Sequence, residues 1–160
     1  MSQNTFDQCF PGELEFEMKK RFRFLEHTAD AYIEAYGTTL EEAFENAALA
    51  TTDVMTEVEK VEAQNEETFI VEAPDEFALL YSWLEELLLE FELKGKLYCR
   101  FEVSCIEKTS EGFRLRARAW GETYDSEKHP SKVGIKSATY HQMEILKEPE
   151  AVTVRFILDV

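Results

Sequence analysis

Val152-Thr153-Val154-Arg155-Phe156-Ile157-Leu158-Asp159-Val160 closes the chain. Its β-branched and aromatic residues predict a strand. The run reads as strand to the last residue with no polar tail. The expectation is a terminal carboxylate held beside the Asp159 side chain, since termini fray unless they are tied down. A second acidic strand end, Phe24-Leu25-Glu26-His27-Thr28-Ala29-Asp30, lies near the start of the sequence. Brought together, the two ends would offer hard oxygen donors, which suit Mg²⁺, Ca²⁺ or Mn²⁺ rather than zinc. Taken alone, Asp30 reads first as a turn-capping residue.

Outward from these ends the periodicity changes. Phe22 and Phe24 alternate with Arg21 and Arg23, and Ala31, Ile33 and Ala35 alternate with Tyr32, Glu34 and Tyr36, predicting two strands around the acidic segment. Thr39-Leu40-Glu41-Glu42 has the form of a capping box, and Leu40, Ala43, Phe44, Ala47 and Thr51 follow at helical spacing. Val58 to Glu72 predicts one or two strands reaching Phe69-Ile70-Val71. Pro74-Asp75 opens a second helix that is nearly apolar all round and stops at Lys94-Gly95-Lys96.

Tyr98–Lys108 and Phe113–Glu122 read as a hairpin turning at Thr109-Ser110-Glu111-Gly112. Tyr124 to Ser137 is loop-like. Thr139–Leu146 and Val152–Val160 form a closing pair around Lys147-Glu148-Pro149-Glu150. The fold class is α+β, two helices packed on a mostly antiparallel sheet. Residues 1–20, polar and irregular, are expected to be a flexible extension, with one domain over 21–160.

With 33 Asp+Glu against 17 Lys+Arg, the formal net charge is −16. A basic footprint supplies most non-specific nucleic-acid affinity, so strong direct RNA or DNA binding is disfavoured, and a cation or basic protein partner fits better. No apolar run is long enough to span a bilayer, and the start lacks a signal-peptide pattern, so a soluble intracellular protein is expected. Cys9, Cys99 and Cys105 show no Cys-x-x-Cys spacing. The last two share parity with Phe101 and Val103, predicting buried free thiols and a reducing compartment. His27 and His141 read as partly buried, hydrogen-bonded side chains, and His129 as exposed in a proline-containing loop. No Ser-His-Asp or Cys-His arrangement is present. The stripe Arg114, Arg116, Arg118 predicts cross-strand pairing with Glu102 and its neighbours.

Three segments together resemble the archease family: Phe24-Leu25-Glu26-His27-Thr28-Ala29-Asp30, Gly134-Ile135-Lys136-Ser137-Ala138-Thr139-Tyr140-His141, and Ile157-Leu158-Asp159-Val160. Their order and the two helices between them match over roughly residues 22–160. The resemblance implies a protein cofactor rather than an enzyme. It would be an activator of the RtcB-type RNA-splicing ligase, promoting ligase guanylylation and multiple turnover in tRNA splicing. It implies one divalent cation, Ca²⁺ first and Mg²⁺ or Mn²⁺ otherwise, held by Asp30, Asp159 and Val160. Lys136 would serve ligase activation. The implied partner is the ligase, with tRNA and GTP reached through it and no membrane, in the cytoplasm or, in a eukaryote, also the nucleus. Two alternatives remain at this point: a small metal-dependent phosphoester hydrolase, and a chaperone-like protein-binding module.

Overall fold

The computed structural model describes residues 21–26 and 30–160, so the expected N-terminal extension and His27 lie outside the described residues. All strand pairings are antiparallel, and the strands divide between two sheets. β1 (Phe22–Leu25) pairs with β2 (Ala31–Gly37), which pairs with β8 (Ala151–Asp159). The far edge of β8 is shared by β6 (Ser137–Ala138) and β7 (Glu144–Glu148), completing five strands. The second sheet has the order β3 (Asn65–Ala73), β5 (Gly112–Thr123), β4 (Lys96–Thr109).

Helix α1 (Leu40–Met55) starts where the sequence places it. Thr39 accepts the Glu42 N–H at 3.1 Å, and Glu42 reaches back to the Thr38 N–H at 2.6 Å. Its buried face, with Ala43, Phe44, Ala47 and Ala48, packs against β2 and β4. Helix α2 (Glu76–Lys94) is capped by Asp75, which accepts the Ala78 N–H at 2.8 Å. It ends on Gly95 at φ 67°, a left-handed conformation that glycine adopts without a Cβ clash. Trp83 of α2 is fully buried and donates its indole N–H to the Phe44 carbonyl at 3.0 Å, tying the helices together. Phe69, Tyr98 and Phe101 meet in edge-to-face contacts around it.

Several expectations change. Val58–Lys60 is a single 3₁₀ turn, and β3 is one strand starting at Asn65. The predicted strand from Thr139 is strand only from Glu144, as β7; Thr139 to Met143 form a turn in which Gln142 has φ 55°, and β6 precedes them in the segment expected to be loop. β4 carries two bulges, between Tyr98 and Arg100 and between Val103 and Cys105. Each bulge inserts a residue and shifts the inward parity. Cys99 is therefore an extra residue, and Cys105 pairs with Arg116 while Ile106 faces inward opposite Leu115. Both thiols are free but only half-buried, and burial pushes Cys99 up to about 11.

Candidate functional site

The β2–β8 register pairs Ala31 with Leu158, so one step outward Asp30 stands across from Asp159. Directly opposite residues of an antiparallel pair share a face, and continuation of this register would give the two carboxylates the same side of the sheet end. On the other flank of β8, Ser137 pairs with Asp159. The Lys136 N–H donates to the Asp159 main-chain carbonyl at 2.7 Å, placing Lys136 beside Val160. Three separate stretches of sequence thus meet at one end of the five-stranded sheet. Asp30, Asp159 and Val160 are partly exposed and Lys136 is exposed, so the end faces solvent.

The segment carrying Lys136 is pinned from two sides. Thr139 donates through its N–H at 3.1 Å and its hydroxyl at 2.9 Å to the Ile157 carbonyl. Glu85 of α2 accepts the Ala138 N–H at 2.7 Å, and Tyr140 stacks on Tyr81 with ring centroids 4.5 Å apart. Lys136 also lines a cavity of about 610 Å³ floored by Leu88, Phe91 and Leu97. The buried Thr56 hydroxyl, on the same cavity, has no hydrogen-bond partner.

Among the described residues no cluster of three or more His, Cys, Asp or Glu side chains is arranged to hold a metal. Two opposed carboxylates with the oxygens of Val160 beside them still form a set of hard donors, which fits Mg²⁺, Ca²⁺ or Mn²⁺.

The histidines are placed differently from expectation. His129 is fully buried, not exposed. The Asp125 N–H donates to its Nδ1 at 2.9 Å, so Nε2 carries the proton and donates to Glu122 Oε2 at 2.8 Å. The loop folds inward because Glu122, itself buried, collects Lys128 and the Glu62 N–H as well. Burial pushes the Glu122 carboxyl up, but those bonds outweigh it and hold it below the usual range. With both ring nitrogens engaged, His129 has none left to act as a base. His141 is exposed rather than partly buried.

Sequence reasoning missed a row of charges across the same sheet. Arg23 of β1, Glu34 of β2, Arg155 of β8 and Glu144 of β7 occupy matching register positions on four strands. Glu34 accepts from Arg23 at 2.6 Å, from Arg155 at 2.5 Å and from the Tyr36 hydroxyl, and Arg155 reaches Glu144 at 2.8 Å. Burial raises the Glu34 carboxyl, and the bonds from Tyr36, Arg155 and Arg23 more than reverse this. The alternation of sign was visible in the sequence, but only the register lines it up. The Arg stripe of β5 behaves as expected: Arg118 bonds Glu102, and Arg114 bonds Glu72 at 2.7 Å.

Residues 22–160 match the model of the Archease protein family (MTH1598/TM1083). The chain belongs to the archease family. It is 47% identical over 131 residues to protein archease of Pyrococcus abyssi (strain GE5 / Orsay), covering 82% of this chain and 92% of that one. With protein archease of Methanosarcina mazei the identity is 39% over 141 residues, covering 88% and 97%. The solution structure of Methanobacterium thermoautotrophicum protein 1598 is 39% identical, with a TM-score of 0.74 over 88% of this chain and 99% of that one. The crystal structure of a Thermotoga maritima archease, described as a possible chaperone, shares the fold at 18% identity and TM-score 0.56. It covers 86% of this chain and 96% of that one. The archease fold is therefore two helices packed on antiparallel sheets, as the sequence predicted. No helix among the described residues is long and apolar enough to cross a membrane.

Proposed function

We propose that this chain is a protein cofactor that activates an RtcB-type RNA-splicing ligase, with one divalent cation held by Asp30, Asp159 and the oxygens of Val160. The observation that carries this reading is the register of β2 against β8, which sets Asp30 across from Asp159, with Lys136 hydrogen-bonded alongside. Family membership supports it. Bound there, the cation would neutralise the opposed carboxylates and could polarise a phosphate oxygen offered by the partner. Asp30 and Asp159 hold it, Ser137 and Thr139 keep the supporting strand in register, and exposed Lys136 presents a cation to the ligase or its nucleotide.

A hydrolase reading is less well supported. Metal-assisted hydrolysis needs a proton-transfer group. His129 has both ring nitrogens engaged away from the acidic end, and His141 lies exposed in the turn after β6. The deciding assay is turnover of a cognate ligase with GTP and RNA ends, with and without this protein. Small amounts should convert a single-turnover reaction into a multiple-turnover one while the protein alone turns nothing over. Phosphoester hydrolysis by the isolated, cation-loaded protein would favour the hydrolase.

A further inference from the structure

The two edges of the three-stranded sheet are treated in opposite ways. β4 is interrupted by two bulges, and α1 carboxylates accept its outward amides: Glu45 takes the Val103 N–H at 2.8 Å and Glu41 takes the Ile106 N–H at 3.1 Å. That edge is closed. β3, at the other side, runs nine residues with no bulge in its register against β5 and contains no proline or lysine. Among the described residues no strand pairs with its outer edge, and no main-chain hydrogen bond from elsewhere reaches Asn65–Ala73. Long, straight edges are normally blunted by such devices, because their free amides and carbonyls template another strand.

A groove of about 440 Å³ runs along this open edge. One wall is Ile70, Val71 and Glu72, consecutive residues that present the strand's edge rather than one face. The other is a single face of α2, with Tyr81, Glu85 and Leu89. Ile70 is 58% exposed and Leu89 46% exposed, so each wall offers an uncovered apolar side chain. A strand edge beside a helix is the arrangement into which extended peptides insert: main-chain bonds supply affinity and the groove selects alternate side chains.

We propose that this groove docks an extended, basic and apolar segment of a partner protein as a fourth strand on β3. The proposal rests on the reading that the chain works through a protein partner, and it adds a docking site that shares Tyr81 and Glu85 of α2 with the anchoring of the Lys136 segment. Charge selects the occupant. β3 carries Glu66, Glu67 and Glu72, and the groove adds Glu85 and Glu86 with no basic residue among its lining. Glu72 is shared with Arg114 and Glu85 with the Ala138 N–H, yet Glu67 and Glu86 form no ion pair among the described residues. A second copy pairing β3 with β3 would bring these carboxylates together, at a cost. Residues 1–20 carry Asp7, Glu13, Glu15 and Glu17 against Lys19 and Lys20, so they do not complement the groove either.

The test is residue-resolved amide exchange on the full chain, with an end-capped octapeptide alternating Arg and Val as probe. Two controls are the Glu–Val octapeptide and the Arg–Val peptide N-methylated at alternate residues. The Arg–Val probe should slow exchange about tenfold at alternate amides of β3 and leave β4 unchanged. Both controls should bind at least about tenfold more weakly, as should the probe to Ile70→Lys and Leu89→Lys, surface changes that leave the core intact. Equal binding of the N-methylated peptide, protection on β4, or no protection at millimolar probe would overturn the proposal. So would β3 amides already protected in the free chain: concentration-independent protection would assign the edge to the chain's own N-terminal segment, and concentration-dependent protection to a second copy. The measurement needs no ligase, so failure of the ligase reading and failure of the groove are separately visible.

Discussion

Two rows of charge lie on one face of the five-stranded sheet, four residues apart along β2 and β8, or roughly 13 Å at strand rise. In the first, Arg23, Glu34, Arg155 and Glu144 alternate in sign across four strands. In the second, Asp30 and Asp159 occupy positions one step beyond the last pair of the register, Ala31 with Leu158. The protein balances the first row itself and buries its central carboxylate. The second lies partly exposed at the sheet's end. On the function proposed above, the same strands use charge in two ways, to hold the fold and to hold a cation.

Removing Glu34 is expected to have the largest effect on the fold. Glu34→Ala deletes the acceptor of three hydrogen bonds, two of them from guanidinium groups. The expected loss is about 2–3 kcal/mol, less than for a wholly buried pair because both arginines can turn to water. Urea denaturation checks this, and the cation affinity of the folded variant should not change. The sign of its pH dependence is fixed as well. The Glu34 carboxyl is held low in the folded state, so its stabilisation is present above the unfolded carboxylate range and is lost as pH falls through the folded value.

Asp159→Ala should do the reverse. Taking one carboxylate from so small a donor set should weaken Ca²⁺ or Mn²⁺ binding about 10- to 100-fold by calorimetric titration and abolish ligase activation. Stability without cation should hold or rise, because a like-charge contact with Asp30 is relieved. Normal cation binding and activation by this variant would show that the site lies elsewhere. If Asp159→Ala unfolds as Glu34→Ala does, the contrast between the two rows fails.

Helix caps, the Gly95 stop and the β4–β5 turn were legible because each is fixed by a few neighbouring residues. That three segments share one sheet end was legible only when they were taken together, since Asp30 by itself reads first as a turn residue. What the sequence hid depends on register. Ser104 carries no mark of a bulge, yet the shift beside it moves Cys105 to the outer face. His129 looked exposed beside Pro130, but Glu122, seven residues earlier, draws it inward. Glu41 and Glu45 stand one helical turn apart, and no local pattern marks that they cap an edge strand some 60 residues away in sequence.

Glu45 sharpens the comparison by supplying a third case, a carboxylate that is largely buried and accepts a main-chain amide. Burial is the main cause lifting it to about 7; the Val103 N–H and Arg21 pull it down, while Glu42 and Glu102 push it further up. Because the folded group binds its proton more tightly than the unfolded one, stability should fall as pH rises from about 4.5 to about 7 and level off above. Glu45→Gln keeps an acceptor for Val103 and removes the charge. It should melt higher than the parent at pH 8 by a few degrees and match it at pH 4. A parallel offset at both values would mean that the carboxylate is ionised throughout.

The smallest effect is expected on the three-stranded sheet, where Arg118 is bound by Glu102 and lies 3.6 Å from Glu66. Its signs alternate as in the Arg23–Glu34 row, but every side chain here is about half exposed. Exposed pairs gain little, since water screens them and two long side chains must be held still. Arg118 also covers one side of Trp120, with Arg100 closer over the same ring at 4.3 Å. Arg118→Ala should thus leave Arg100 to cover the indole and shift the melting temperature by no more than replicate scatter. Any residual difference should vanish in high salt. A loss as large as that of Glu34→Ala would show that sign alternation alone stabilises a row; a negligible one would place the effect in burial, which Glu34 has and Glu102 lacks.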